Sequence, residues 1–279
     1  MPEIQIYYTQ HGPGNATINY DPSIDFANRL TDADKRLIES NWARIKKANS
    51  SLWPGELGTL IDSENGNLRY GRTSYDVWRA AHDMLGQDTL SQILYNELRV
   101  SSVGIVVMTR DEKILVLEKP TGFPAEGKLD SSANGFCEVK NGKLDFDAAA
   151  REKLERELGM ASGDIRKLGL RGVHSASDYY SGMLAYYAET SLTFDQVNRR
   201  ANPKYVHKLH GIGRSDLADY VSEKYAAGEL IGDGAATLLG VLDKKEFFGA
   251  IEKIKSRGGK IRFGKLSNGN FVESIDNFF

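Results

Sequence analysis

Residues 148–160 carry three glutamates on what the spacing of apolar residues predicts to be one amphipathic helix. Glu152, Glu155 and Glu157 offer carboxylate oxygens, which are the hard ligands that magnesium prefers. A divalent metal held in this way can screen negative charge and prepare a water molecule for attack. The chemistry that these residue types suggest is metal-assisted hydrolysis.

The apolar side chains of this helix indicate which carboxylate can face a cleft beside a sheet. At about 100° per residue, the residues that form one buried stripe are Ala150, Leu154 and Leu158. Glu157 lies about 60° from the centre of that stripe, Glu155 about 100° and Glu152 about 160°. Glu157 is therefore the leading candidate for catalysis and metal binding. Glu152 stays a candidate for both roles, and Glu155 for catalysis.

The same region resembles a known family motif. Gly135-Phe-Cys-Glu138, Asn141-Gly-Lys143 and the run from Ala148 to Met160 resemble the box of the Nudix hydrolases, in which a glycine-containing loop precedes a glutamate-rich helix. The resemblance implies an α+β fold of the Nudix type, an α/β/α sandwich with a mixed sheet. It also implies magnesium as the cofactor.

The box is degenerate, and two alignments of it are open. If Gly159 is the anchor, Glu157 takes a metal-ligand position, while Lys153 and Arg156 replace two glutamates of the family. If Arg151 is the anchor, Glu152 and Glu155 keep their family positions. The helix faces favour the first alignment, in which Lys153 would place an ammonium group where a second metal ligand belongs.

Two further segments resemble the branch of this family that hydrolyses UDP-glucose and other UDP-sugars. They are Tyr70-Gly-Arg-Thr-Ser-Tyr75 and Ala125-Glu-Gly-Lys-Leu-Asp130. The resemblance implies that Tyr75 supports the nucleotide base and that Arg72 contacts a phosphate or sugar. It also implies that Asp130 lies near the metal cleft.

The elements expected around these residues fall into two parts. Residues 1–100 are predicted to form an N-terminal α/β extension that supplies one wall of the cleft, and residues 101–279 a Nudix-like domain. In the first part we expect a strand at Ile4–Tyr8, a loop at His11–Pro22, a helix that starts after Thr31, a hairpin around Asn65-Gly66, and helices near Tyr75–Met84 and Thr89–Leu98. In the second part we expect strands near Val103–Met108, Ile114–Leu117, Leu168–His174 and Met183–Ala188, and helices near Phe146–Leu158, Asp216–Ala226, Thr237–Leu242 and Lys245–Lys255.

Composition limits the partners of the chain. The formal net charge of −2 provides no general positive field for nucleic acid, so a small nucleotide-type molecule is the expected ligand. A single cysteine predicts a reducing, cytoplasmic setting, and no run approaches the ~20 apolar residues of a membrane-spanning helix. The sequence leaves both a monomer and a homodimer open.

Two functional hypotheses follow. The first is a magnesium-dependent hydrolase of nucleoside diphosphate-linked substrates, with UDP-sugars as the first class to test. The second is a non-catalytic Nudix-fold module that binds a nucleotide or another protein, because basic residues replace glutamates of the box. The first is the leading hypothesis, so we expect the chain to be an enzyme, a Nudix-type pyrophosphohydrolase.

Overall fold

The computed structural model describes residues 2–9, 16–64, 66–84, 97–122, 125–177, 181–268 and 270–273. Its helices are α1 (Asp32–Ala48), α2 (Tyr75–Asp83), α3 (Phe146–Leu158), α4 (Phe194–Arg200), α5 (Leu217–Ala226), α6 (Gly232–Leu239) and α7 (Lys244–Ser256). Its strands are β1 (Glu3–Thr9), β2 (Thr17–Asp25), β3 (Glu56–Glu64), β4 (Asn67–Ser74), β5 (Val100–Met108), β6 (Lys113–Glu118), β7 (Leu129–Asp130), β8 (Ala133–Phe136), β9 (Val139–Lys140), β10 (Lys143–Leu144), β11 (Ile165–Ala176), β12 (Ser181–Thr190), β13 (Lys208–Gly213), β14 (Lys260–Ser267) and β15 (Asn270–Glu273). The predicted α+β class is confirmed.

One large mixed sheet organises the described chain. Its main path runs β13-β6-β5-β12-β11-β1-β14-β3-β4-β2. Strands β5 and β12 pair in parallel, as do β1 and β14, whereas β11 and β12 are antiparallel. Thr59 of β3 also pairs with Val100 of β5, so the sheet turns back on itself. Strands from both sides of residue 100 thus share this sheet, and the two-part division of the chain stays a prediction.

Helices cover both faces of the central strands. Along β5 the side chains alternate, so that Val103 and Ile105 contact α3 and its surroundings while Val106 contacts the opposite layer. Leu154 of α3 belongs to the first core, and Leu238 of α6 belongs to the second, which also contains residues of α5 and α7. This arrangement gives the predicted α/β/α layers.

Local sequence explains the position of α3. The Asp145 side chain accepts a hydrogen bond from the backbone N–H of Ala148 at 2.8 Å and so caps the first turn. Gly159 ends the helix in the left-handed conformation, with φ of 64°. A Cβ at this glycine would lie 2.8 Å from the carbonyl oxygen of Arg200, so the close approach of α4 also requires glycine. The predicted stripe of Ala150, Leu154 and Leu158 is fully buried.

Helices α1 and α2, which precede β5, pack against each other. Thr31 and Asp34 form the capping box of α1, as the predicted N-cap requires. Asn41 of α1 donates a hydrogen bond to the carbonyl oxygen of Ala80 in α2 at 3.0 Å, which joins the two helices. The predicted helix at 89–98 lies largely outside the described residues.

One expectation about strands was wrong, and two strands were not predicted. Residues 17–22, predicted as loop, belong to β2, which pairs in parallel with β4 over Thr17–Tyr20. Residues 208–213 form β13 and residues 260–267 form β14, although neither segment was predicted as a strand. Their partners are distant in sequence, so tertiary pairing outweighs their glycine-rich or charged local composition. No described helix combines the length and apolar character needed to cross a membrane.

Candidate functional site

A cavity of about 710 Å³ opens between α3, α2 and the loop after α1. Tyr75 at the start of α2 and Glu157 near the end of α3 both line it. The segment before residue 100 therefore contributes one wall and the box helix another. This volume lies within the ~300–1,000 Å³ range of small-molecule sites.

Aromatic side chains form the wall that α2 contributes. The ring centroids of Tyr75 and Phe136 lie 5.8 Å apart and those of Trp78 and Phe136 lie 4.5 Å apart, both pairs in edge-to-face geometry. The ring centroids of Trp42 in α1 and Tyr75 lie 6.2 Å apart. Tyr75 and Phe136 are half-buried, so this cluster offers aromatic surface to a flat ligand.

Glu157 stands on the opposite wall and is almost fully buried, with 4% of its surface exposed. Its Oε1 accepts a hydrogen bond from the Arg156 guanidinium at 2.6 Å, and its Oε2 accepts one from the backbone N–H of Asn134 at 3.2 Å. Burial raises the pKa of the Glu157 carboxyl, while the contact with Arg156 opposes that rise. Arg156 in turn lies over the ring of Tyr205, 4.8 Å from its centroid.

Lys153, one turn before Glu157, brings a buried cation to the same wall. Its Nζ lies 3.9 Å from Oε1 of Glu152, whose other oxygen is bound by Lys140 at 2.9 Å. Burial lowers the pKa of the Lys153 ammonium, and repulsion by Arg156 lowers it further. The side chain crosses β8 at Gly135, where a Cβ would lie 2.9 Å from Cε of Lys153. Gly135 therefore leaves the space that this lysine occupies.

A second cation is held by Asp130. Lys119 donates to Oδ2 of Asp130 at 2.8 Å, and the amide of Asn134 donates to the same oxygen at 2.6 Å. Lys119 and Asn134 line the cavity, whereas Asp130 is buried behind them with 1% of its surface exposed. Asp130 thus positions two side chains that face the cavity.

Basic side chains outnumber acidic ones, five to three, among the described residues that line the cavity. The basic residues are Arg44, Arg79, Lys119, Lys153 and Arg156, and the acidic residues are Asp83, Glu138 and Glu157. Arg44 and Arg79 both pair with Asp83, and Arg156 pairs with Glu157. Lys153 and Arg79 form the longest of these ion pairs, both at 3.9 Å, and Lys153 is the more buried of the two, so its positive charge acts strongly on an anionic ligand.

The side chains present do not fit a magnesium site. Within the described residues, no three His, Cys, Asp or Glu side chains gather in a way that could hold a metal ion. Both carboxylate oxygens of Glu157 already accept hydrogen bonds, and the buried ammonium of Lys153 would repel a divalent cation. The site has the charge pattern of an anion site, with cations where the resemblance would require carboxylates.

The remaining sequence-predicted site residues lie outside this cavity. Arg72 is exposed on β4 and pairs with Asp25, with its Nε 3.2 Å from Oδ2. Glu155 is exposed on the outer side of α3. Glu152 is exposed too and lines a separate recess of about 460 Å³ with Glu138, Lys140 and Lys153. The structure thus brings Tyr75 and Glu157 together, sets Asp130 behind Lys119, and leaves Arg72, Glu152 and Glu155 apart.

Several lining residues were not predicted from the sequence. Trp78 follows Tyr75 at helical spacing, and this signal could have identified it. Phe136, Ser102 and Ser181 belong to three different strands and meet only through sheet pairing. Lys119 follows a strand without any motif around it.

Comparison with known proteins gives structural neighbours at low similarity. No protein-family profile matches the chain, and no curated protein matches it. DR0079 from Deinococcus radiodurans aligns with 65% of this chain and 96% of its own at 16% identity, with a TM-score of 0.42. RenU, a Nudix hydrolase from M. smegmatis, aligns with 50% of this chain and 80% of its own at 10% identity, with a TM-score of 0.32. These values assign the chain to no family.

Proposed function

We propose that the chain is a Nudix-like module that binds a nucleoside diphosphate or a related nucleotide in the 710 Å³ cavity. In this proposal side-chain cations contact the phosphates in place of a bound divalent metal. The observation that carries it is the buried ammonium of Lys153 on the cavity wall, one turn before Glu157. A buried cation with a loose ion partner gains most when a ligand brings negative charge to it.

The aromatic wall supports a nucleotide over a simple anion. Tyr75 and Phe136 are half-buried and line the same cavity as Lys153, so one molecule could reach both walls. An aromatic ring contributes roughly 1–3 kcal/mol when a base stacks on it. UDP-sugars are the first ligands to test, because the segments Tyr70–Tyr75 and Ala125–Asp130 resemble the UDP-sugar branch.

Titration calorimetry tests this proposal directly. UDP-glucose, UDP and inorganic pyrophosphate would be titrated into the protein in EDTA and again in excess magnesium. We expect binding in EDTA, with an affinity that magnesium does not increase. Lys153→Met should weaken binding by about tenfold or more, because it removes a charged contact worth about 1.5–3 kcal/mol.

Lys140→Met is the matched control for that variant. Like Lys153, Lys140 pairs with Glu152, but Lys140 is exposed and does not line the cavity. The Lys140→Met variant should therefore bind the same ligands with unchanged affinity. Binding that requires magnesium and survives Lys153→Met would overturn the proposal.

Hydrolysis of a nucleoside diphosphate-linked substrate is the second candidate. The observation in its favour is the buried carboxyl of Glu157, because burial raises the pKa of this group and so makes its carboxylate a stronger proton acceptor. Chromatography of UDP-glucose after incubation with the protein, with and without magnesium, would detect the products. Release of UMP and a sugar phosphate would favour the hydrolase, and intact substrate would favour the binding module.

A further inference from the structure

Ser102 presents an unused hydrogen-bonding group to the cavity. Its side chain lines the cavity and 2% of its surface is exposed. Among the described residues its Oγ finds no hydrogen-bond partner. A buried hydroxyl in this state is costly, and a ligand that accepts its proton would remove that cost.

Ser181 presents the complementary group. It also lines the cavity and is 1% exposed, and its hydroxyl donates to Oδ2 of the buried Asp233. A hydroxyl that already donates its only proton can offer nothing but lone pairs to a ligand. Ser181 can therefore accept a hydrogen bond from a ligand N–H or O–H.

Sheet pairing sets these two serines beside the aromatic wall. Phe136 of β8 pairs with Ser102 of β5, and Ser102 pairs with Met183 of β12, so the three side chains stand in one row on the face of β5 that carries Val106, opposite to α3. The same cavity is lined by this row and by Lys153. Ser181 lies two residues before Met183 on the same face. Strand spacing of about 4.8 Å and a rise of about 3.3 Å per residue put the Cα atoms of Ser102 and Ser181 roughly 8 Å apart. The edge of one ring, with two hydrogen bonds of about 2.9 Å, can span such a gap.

We infer that Ser102 and Ser181 select a planar heterocycle that carries a ring N–H next to a carbonyl, the lactam edge of uracil, hypoxanthine or guanine. Ser102 donates to the carbonyl, Ser181 accepts from the N–H, and the ring lies against Phe136. This inference rests on the proposed function, since it assigns the base of the nucleotide whose phosphates Lys153 contacts. Cytosine and adenine present a bare ring nitrogen in place of the N–H, which would face the lone pairs of Ser181.

The test compares bases on an identical diphosphate. Calorimetry in EDTA would measure UDP against CDP and IDP against ADP, with inorganic pyrophosphate as the probe of the phosphate site alone. We expect UDP and IDP to bind at least about tenfold more tightly than CDP and ADP, because the disfavoured pair leaves buried polar groups unmatched.

Ser102→Ala separates base selection from folding. We expect UDP affinity to fall by about tenfold, CDP and pyrophosphate affinities to stay the same, and the melting temperature to stay equal or rise, since an unpaired buried hydroxyl is removed. Ser162→Ala, at an exposed serine outside the cavity, should change none of these values.

Three outcomes would overturn the inference. If all four nucleotides bind as weakly as pyrophosphate, no base is selected, although the phosphate site of the proposed function stands. If UDP-glucose and CDP-glucose bind alike and far more tightly than UDP, the pocket holds the sugar. If pyrophosphate and all nucleotides fail to bind, the proposed function and this inference both fail.

Discussion

Arg156 donates a hydrogen bond of 2.6 Å to the carboxylate of Glu157, its neighbour on α3, so these two charges largely neutralise each other. Replacing Glu157 by Gln removes the negative charge and keeps the size of the side chain. For a metal-free anion site, we expect Glu157→Gln to tighten pyrophosphate binding by about threefold to tenfold, because repulsion falls and Arg156 becomes available.

The same variant distinguishes the two candidate functions. A hydrolase in which Glu157 holds metal or accepts a proton would lose its activity in Glu157→Gln while staying folded. Calorimetry and product chromatography on one preparation would measure both effects. If Glu157→Gln binds pyrophosphate more tightly and the parent protein shows no catalysis, the binding module is favoured. Weaker binding of pyrophosphate by the variant would contradict the binding module.

Replacing two cations of α3 by glutamates should create a metal site. Lys153→Glu combined with Arg156→Glu would set two carboxylates on the face of α3 that already carries Glu157. We expect the double variant to bind Mn²⁺ in calorimetry, whereas the parent chain does not, because three carboxylates then replace one carboxylate and two cations. The matched control is Lys140→Glu with Arg151→Glu, which makes the same change of charge at exposed positions. Equal Mn²⁺ binding by both double variants would refute this expectation.

Tyr75 should contribute to nucleotide binding and leave phosphate binding unchanged. Tyr75→Leu keeps an apolar side chain against Trp42 and Trp78 but removes the aromatic surface. We expect UDP affinity to fall by about fivefold or more, in line with a stacking contribution of about 1 kcal/mol, and pyrophosphate affinity to remain unchanged. Tyr75→Phe should bind as the parent does. Equal losses for UDP and pyrophosphate would indicate a general disturbance of the cavity.

Stability should fall in mild acid because of His174. Burial lowers the pKa of this histidine to about 3 from its ordinary 6.5. Between those values the unfolded chain binds a proton at this histidine that the folded chain does not. The contribution of the neutral histidine to the free energy of unfolding is therefore complete above about pH 6.5 and is lost as the pH falls toward about 3. The free energy of unfolding should therefore decrease with falling pH, by up to about 1.4 kcal/mol per pH unit from this group.

Urea unfolding at a series of pH values measures that slope. His174→Gln should flatten it between about pH 6 and 4, since the variant has no imidazole to protonate. His207→Gln, at an exposed histidine, should leave the slope as it is in the parent. An unchanged slope in His174→Gln would contradict the assignment.

The parts of the fold that sequence predicted are those set by nearby residues. Thr31 caps α1 together with Asp34, three residues away. Gly159 ends α3 because glycine readily adopts the left-handed conformation found there. The stripe of Ala150, Leu154 and Leu158 follows from helical periodicity alone. Such signals lie within one or two turns, so they can be read without knowledge of the tertiary structure.

The parts that sequence missed depend on contacts between distant segments. Strand β13 contains two glycines and is held by six pairs with β6. The pairing of Arg72 with Asp25 exists only because β2 lies beside β4. Ser102 carries no local sign of its role, since its place in the cavity comes from the register of β8, β5 and β12. This part of the candidate site is therefore a product of sheet register, and no motif reveals it.

Strand β1 lies between β11 and β14, and Arg262 of β14 reaches Glu3 of β1 across 259 residues of sequence. During synthesis, β1 leaves the ribosome long before this partner exists, and its edge stays open to other strands in the meantime. Such a distant pairing closes a very long loop late in folding, which favours slow refolding. A chaperone that shields residues 3–9 until residues 260–263 are made would shorten the period in which the nascent chain can aggregate.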